Sequence, residues 1–401
     1  MNLSFMRNID RRLGPPLCFL LTVWCRLRRI VGFHKRGAYA SPRNVLFIKL
    51  SEIGAVICAY PLLKRIKEEC RGANLFFLTF EKNREIFSLL EGVIPKKNVL
   101  TIRMDAPGVF FSDTVKAIKI LRRQGVDVAF DLELFSRFSA LLAYLSGAAR
   151  RIGFDRYTFE GLYRGALLTH RAQYNPLLHI SKSYYALSFL LKDAAKKSPE
   201  IGETVPGEAI RLPLYRPTEA LISRMRDILS QAGARPGQKI LLLHTGEGDL
   251  SLREWPFEHH LALVRRLLRE TDFFFVFIGV KADAKIKRIT GLDPARCLNL
   301  MGQTNLTELQ GLFYIANALF SNDCGLVHLA ALSTIRAFIL FGPESPSVFA
   351  PLGERTHVLY AGLPCSPCFS ALNHRASACR NNLCLKTIDP DEVACLIKES
   401  L

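Results

Sequence analysis

At 401 residues the chain exceeds one ordinary hydrophobic core and suits two domains. Its 49% hydrophobic and 22% charged residues are those of a globular protein and exclude disorder over most of the length. A formal net charge of +18 points to an anionic partner: nucleic acid, a membrane surface or an acidic substrate.

Residues 1–43 concentrate that charge. Nine basic side chains (Arg7, Arg11, Arg12, Arg26, Arg28, Arg29, Lys35, Arg36 and Arg43) face one acid, Asp10. The apolar run 17–25 includes Trp24 but is shorter than the ~20 residues a spanning helix needs, and Arg26 ends it. Ala38-Tyr39-Ala40 has the small-x-small form of a cleavage site, yet basic residues separate it from the apolar run. Residues 7–36 are therefore expected to lie in the interface of an anionic membrane, the alternative being an arm packed on the body. The basic arm would also suit nucleic acid, but no nucleic-acid recognition motif accompanies it, and none is expected as a partner. Eleven cysteines, several scattered through apolar stretches, suggest a reducing compartment.

Strands and helices then alternate. Strands are predicted at 44–50, 75–80, 98–102 and 126–132, with helices at 55–70, 83–90, 112–124 and 137–146. The rhythm lapses over 192–217, read as a linker, and resumes. Helix 216–233, strand 239–244, helix 257–270 and strand 273–279 follow. Asn305 and Glu308 form a capping-box pair opening another helix. Strand 318–321, the turn 322–325, a helix and strand 337–341 make a βαβ unit. Asp389 and Pro390 open the last helix. This pattern predicts an α/β protein with two Rossmann-like, doubly wound parallel-sheet domains, 44–205 and 206–388, and a terminal helix, 389–401. Ligands of such sheets bind at the carboxyl ends of the strands.

Three turns occupy such ends in the second domain: 244–249 leading to Arg253, 279–281 with Lys281, and 322–325. Thr245, Gly246, Arg253 and the first turn of the following helix suit a phosphorylated ligand. The simpler alternative is that Asn322 or Asp323 only caps that helix. In the first domain Asp131, Glu133 and Arg137 follow the fourth strand, with Arg150, Arg151 and Arg156 close in sequence. They suit an anionic ligand; as a metal site the Asp131-x-Glu133 pair is too weak a signal. Cys365-x2-Cys368, Cys379 and Cys384 have structural-zinc character, disulfides and reduced packing cysteines being the alternatives.

Four stretches in order, 45–61, 127–154, 242–256 and 301–343, resemble the heptosyltransferases that build the inner core of bacterial lipopolysaccharide. The most specific is Ser321-Asn322-Asp323-Cys324-Gly325-Leu326-Val327-His328 with Phe341-Gly342-Pro343, and the 365–384 tail is similar to that family's ending. The resemblance implies a GT-B fold with an acceptor domain, a donor domain and a cleft between them. It implies an inverting, metal-independent transfer without cofactor, ADP-heptose being the favoured nucleotide-diphosphate sugar. The acceptor would be an anionic lipid-linked saccharide, met peripherally at the cytoplasmic face of the bacterial inner membrane. Donor contacts would fall on Thr245, Gly246, Arg253, Lys281, Asn322, Asp323, Gly325 and His328, and acceptor contacts on Ser51, Gly54, Asp131 and Arg137. In the family's Ser-x-x-Gly-Asp loop the aspartate is the base, and here that position is Ala55. Glu52, three residues earlier, is the expected replacement, a helix-capping role being its alternative. An impaired scaffold protein and a nucleotide-sugar epimerase are the rival functions.

Overall fold

A computed structural model describes residues 3–30, 41–90, 92–155, 162–192, 199–246, 251–280 and 286–401. The chain forms two compact units, Met1–Arg211 and Leu212–Leu401. The first opens with helix α1 (Leu3–Ile30). Then come β1 (Asn44–Ile48), α2 (Ile53–Cys58), α3 (Tyr60–Glu69), β2 (Asn74–Phe80), β3 (Val99–Ile102), α4 (Pro107–Gln124), β4 (Val128–Asp131), α5 (Arg137–Leu145), β5 (Arg150–Asp155), β6 (His170–Gln173) and α6 (Ile180–Ala186). The second has α7 (Glu219–Gln231), β7 (Ile240–His244), α8 (Phe257–Glu270), β8 (Phe274–Phe277), α9 (Ile286–Thr290), β9 (Cys297–Asn299), α10 (Leu306–Ile315), β10 (Ala318–Asn322), α11 (Gly325–Ala330), β11 (Arg336–Phe341), α12 (Pro346–Phe349), β12 (Thr356–Tyr360), α13 (Leu383–Lys386) and α14 (Pro390–Ser400).

Each unit carries a six-stranded sheet, ordered β3-β2-β1-β4-β5-β6 in the first and β12-β11-β10-β7-β8-β9 in the second. All pairings are parallel, so the two sheets share one doubly wound topology. The chain reverses direction between β1 and β4 and between β7 and β10, the switch points where such sheets bind ligands. Central strands are continuous apolar runs because both faces are covered: Val45 to Ile48 and Phe274 to Phe277 are all buried. Across the first sheet Phe47 stacks on its register partners Phe130 and Phe77, with centroids 5.2 and 6.4 Å apart.

The predicted helix 55–70 is two helices, because Pro61 has no N–H to continue the ladder and instead occupies the first turn of α3. Residues 83–90 fall largely within a 3-10 segment, Glu81–Ser88. The predicted capping box is present, Asn305 and Glu308 each accepting the other's backbone N–H at 3.0 Å or less. Asp389 likewise accepts from Asp391 N–H at 2.7 Å.

Helix α1 docks on the first unit. Gly14 lies so near Arg137 that a Cβ would meet its side chain at 2.6 Å, and Cys18 and Thr22 are buried beside Gly165. Asp10 accepts N–H bonds from Arg137 (3.0 Å) and Phe138 (2.7 Å), while Ser136 accepts from Ser139. Two side chains, one from α1, thus satisfy three of the donors that the N-terminus of α5 leaves open. The packed-arm alternative therefore describes one face of α1. On another face Leu13, Leu17, Leu20, Trp24 and Leu27 form an apolar stripe about half exposed at each position. Among the described residues no helix is long and apolar enough to cross a membrane. Residues 31–36 of the expected membrane segment lie outside the described residues.

Candidate functional site

In the second unit His244 and Ser321 are register partners at the ends of β7 and β10. Beyond them two loops are joined. Asn322 donates from Nδ2 to the Thr245 carbonyl (3.0 Å) and accepts at Oδ1 from Trp255 N–H (3.4 Å). Gly246 has φ +86°, and a Cβ there would collide with the Asn322 amide, so this position requires glycine. Arg253 Nη2 donates to Asp323 Oδ2 at 2.5 Å, with Asp323 almost wholly buried. Thr245, Gly246, Arg253, Asn322, Asp323 and Gly325 therefore converge. His328 is buried one turn into α11. Lys281 lies outside the described residues, as do Glu247, Gly248 and Asp249 of the first turn.

The helix-cap alternative for Asn322 and Asp323 fails. The N-cap position of α11 is Cys324, which makes no side-chain capping bond, while both neighbours are committed to the 245–255 loop. Cys324 itself was silent in the sequence. His244 Nδ1 lies 3.6 Å from its Sγ and 3.2 Å from Ser321 Oγ, and the hydroxyl sits 3.6 Å from the thiol. Burial opposes ionisation of this thiol. Nevertheless His244, Ser321 and the Leu326 N–H bring its pKa down to about 7. Only the β7–β10 register brings these groups together, and register is not legible in either strand alone.

In the first unit the loop after β1 is held from several sides. Glu133 Oε1 accepts from the N–H groups of Leu50 (2.8 Å) and Ser51 (3.1 Å), and its other oxygen pairs with buried Lys49 (2.8 Å). The Leu50 carbonyl accepts from Asn83 Nδ2 (2.9 Å), Thr79 Oγ1 (3.3 Å) and Phe80 N–H (3.1 Å). Glu52 follows with φ +68° and ψ +104°, a conformation that non-glycine residues rarely adopt. It stands at the N-cap of α2 but makes no side-chain capping bond there, so the capping alternative fails as well. Ser51 and Glu52 are partly exposed, as is Ala55, whereas Gly54 is buried in the first turn of α2.

Two expected acceptor residues are corrected. Asp131 is fully buried and pairs with Arg164 at 3.0 Å. Burial pushes its carboxyl up to about 6, against the opposing pull of Arg164. Arg137 is 2% exposed, and it donates to the Tyr163 carbonyl and contacts Asp10. Both side chains are spent on internal partners and present nothing to a ligand. Arg150 and Arg151 are similarly engaged with the carbonyls of Leu191 and Ala148, and Arg156 lies outside the described residues.

The zinc reading of the tail cysteines finds no support. All eleven cysteines are free, and among the described residues no three metal-ligating side chains converge. Cys365 is exposed, Cys384 is buried, and the Cys379 thiol turns to the Asn381 carbonyl. Burial, with Cys368, Cys379 and Cys365 all acting on it, pushes the Cys384 thiol up, so the four share one neighbourhood without a geometry that holds an ion.

The sequence model of glycosyltransferase family 9 (heptosyltransferase) matches residues 114–378. The chain belongs to this family. Lipooligosaccharide heptosyltransferase 2 of Haemophilus ducreyi is 24% identical over 332 residues, covering 79% of this chain and 88% of that protein. Among solved structures, E. coli ADP-heptose LPS heptosyltransferase II superposes with a TM-score of 0.67 at 21% identity, covering 89% of this chain and 98% of that one. E. coli heptosyltransferase WaaC with ADP gives 0.61 at 17%, covering 89% and 100%. The family 9 chain is thus a glycosyltransferase of the GT-B fold, from a family of lipopolysaccharide heptosyltransferases. The 50–55 loop precedes the matched stretch, so the role of Glu52 rests on this chain's own geometry.

Proposed function

We propose that this glycosyltransferase moves heptose from ADP-heptose to an acidic, lipid-linked saccharide of the lipopolysaccharide core, with inversion and without a metal. The observation that carries the donor half is the joined pair of loops: Gly246 under the Asn322 amide, beside Arg253 held by Asp323. A guanidinium fixed in place by a carboxylate is preorganised to present its positive charge to a diphosphate oxygen. That contact grows stronger as charge builds on the departing diphosphate, which is what lowers the barrier. A solved neighbour described as a heptosyltransferase with ADP supports adenine as the base.

Glu52 acts as the base in this reading. The acceptor hydroxyl attacks the anomeric carbon from the face opposite the diphosphate, Glu52 takes the hydroxyl proton, and the bond to the diphosphate breaks. Its carboxylate sits on strained backbone within a loop fixed by Glu133, Asn83 and Thr79. Strain kept in place by its surroundings is frequent at active sites. Ser51 lines the acceptor side, while buried Gly54 shapes the turn behind it. The exposed stripe of α1, flanked by Arg7, Arg11, Arg12 and Arg26, holds the enzyme on the cytoplasmic membrane face, where the lipid-linked acceptor is.

Calorimetry with ADP and UDP, followed by ADP-heptose with heptose-deficient lipopolysaccharide and product mass, tests the reading. ADP preferred over UDP and one heptose added are the expected results. Equal affinity for both nucleotides, or binding without product, overturns it.

A further inference from the structure

Three thiols elsewhere in this chain are held protonated by burial: Cys58 and Cys297 are pushed up to about 12, and Cys18 to about 11. Cys324 is surrounded differently. His244 Nδ1 and Ser321 Oγ both lie 3.6 Å from its sulfur, and the Leu326 N–H is turned toward it. The Ser321 hydroxyl donates to the Asn322 carbonyl at 2.8 Å, which leaves its lone pairs for His244 Nδ1–H. The imidazole proton is therefore directed at the serine and the thiol together, and a negative sulfur meets two N–H donors, His244 Nδ1 and the Leu326 backbone. The residue as a whole is half-buried, with its thiol turned inward.

We propose that Cys324 is a site of covalent modification by small disulfides and other soft electrophiles, and that an adduct there blocks the neighbouring phosphate site. With a disulfide, the thiolate attacks one sulfur and the Cys324 Sγ–S bond forms. The reagent's S–S bond breaks, and the second sulfur leaves as a thiolate that takes a proton from water. Asp323 and Gly325 flank Cys324 in the chain, so the adduct projects from the segment proposed to hold the donor. The first half of the inference is independent of that assignment; the second half rests on it.

The test uses the full chain at pH 7 with substoichiometric iodoacetamide and peptide mass mapping. Cys324 is expected to carry the first equivalent, ahead of exposed Cys365, and saturating ADP to protect it. His244→Asn is expected to slow its labelling by about fivefold or more. Labelling of Cys365 while Cys324 stays intact overturns the inference, and so does a wild-type rate in a His244→Asn protein with an unchanged far-UV spectrum. Hydroxyethyl disulfide then tests the consequence. Treated wild type should lose ADP affinity at least tenfold, on the order expected when a bulky group enters a phosphate site. Treated Cys324→Ser should bind ADP as untreated Cys324→Ser does. An adduct that leaves ADP affinity unchanged refutes the blocking role. If Cys324 labels first but untreated protein binds no ADP, the donor assignment fails and the reactive thiol stands.

Discussion

Glu52 and Asp131 are both carboxylates at the carboxyl edge of the first sheet, and their surroundings give them opposite work. Glu52 is partly exposed on backbone with φ +68°, and Glu52→Gln should lower turnover by roughly 10²–10⁴-fold while ADP affinity holds. Glu52→Gly should abolish turnover yet raise unfolding stability by about 1 kcal/mol, because glycine accepts that conformation without strain. Denaturant titrations of the two variants distinguish a base from a packing residue. Asp131 is buried against Arg164, with its carboxyl raised to about 6 from 3.8. Its contribution to stability is full below pH ~4 and is lost as pH rises through about 6, where the buried group must ionise. Wild type should therefore lose stability relative to Asp131→Asn between pH 4 and 7, measured by urea unfolding at each pH. In the sequence these acids read alike. Strand position showed that Asp131 and Glu133 sit at a ligand-binding edge, but not that Arg164, Lys49 and the Leu50–Ser51 backbone consume them.

Elements whose cues are local were the legible ones. The Asn305–Glu308 and Asp389–Pro390 starts involve neighbours in the chain, and the central strands announce themselves as unbroken apolar runs. Strands β5, β6, β9 and β12 escaped notice because they are short or carry charged and polar residues, Arg150 and Arg151 opening β5 and His170 opening β6. Nor could the start of α5 be read locally, since half of its cap comes from Asp10, 127 residues away. Asp10→Ala removes acceptors from two backbone donors and should cost about 1–2 kcal/mol of unfolding free energy, whereas Asp10→Asn retains part of it. A bulkier residue at Gly14 should separate the same contact, because Arg137 already occupies the space of its Cβ. Both effects are read by chemical denaturation.

The two-unit plan was visible from the alternation of strands and helices, which resumes after the linker. The surface proposed to meet a bilayer was only half visible: the apolar run and basic cluster were plain, but not which side of the helix the body covers. With Cys18 and Thr22 turned inward, the stripe from Leu13 to Leu27 is what remains. A Leu20→Glu, Trp24→Glu double variant should release the protein from anionic vesicles in flotation while leaving ADP affinity intact, and wild-type binding should weaken as salt rises. The long separation between α1 and its dock also sets an order of events during synthesis. At about 5–20 residues per second, the segment carrying Arg137 leaves the ribosome roughly ten seconds after Asp10. Throughout that interval the helix has neither the α5 terminus to cap nor Gly165 to pack against. An amphipathic helix that still lacks its intramolecular partner can settle on lipid before the sheet behind it exists, so on the membrane role proposed above the finished enzyme would be assembled on the bilayer rather than delivered to it.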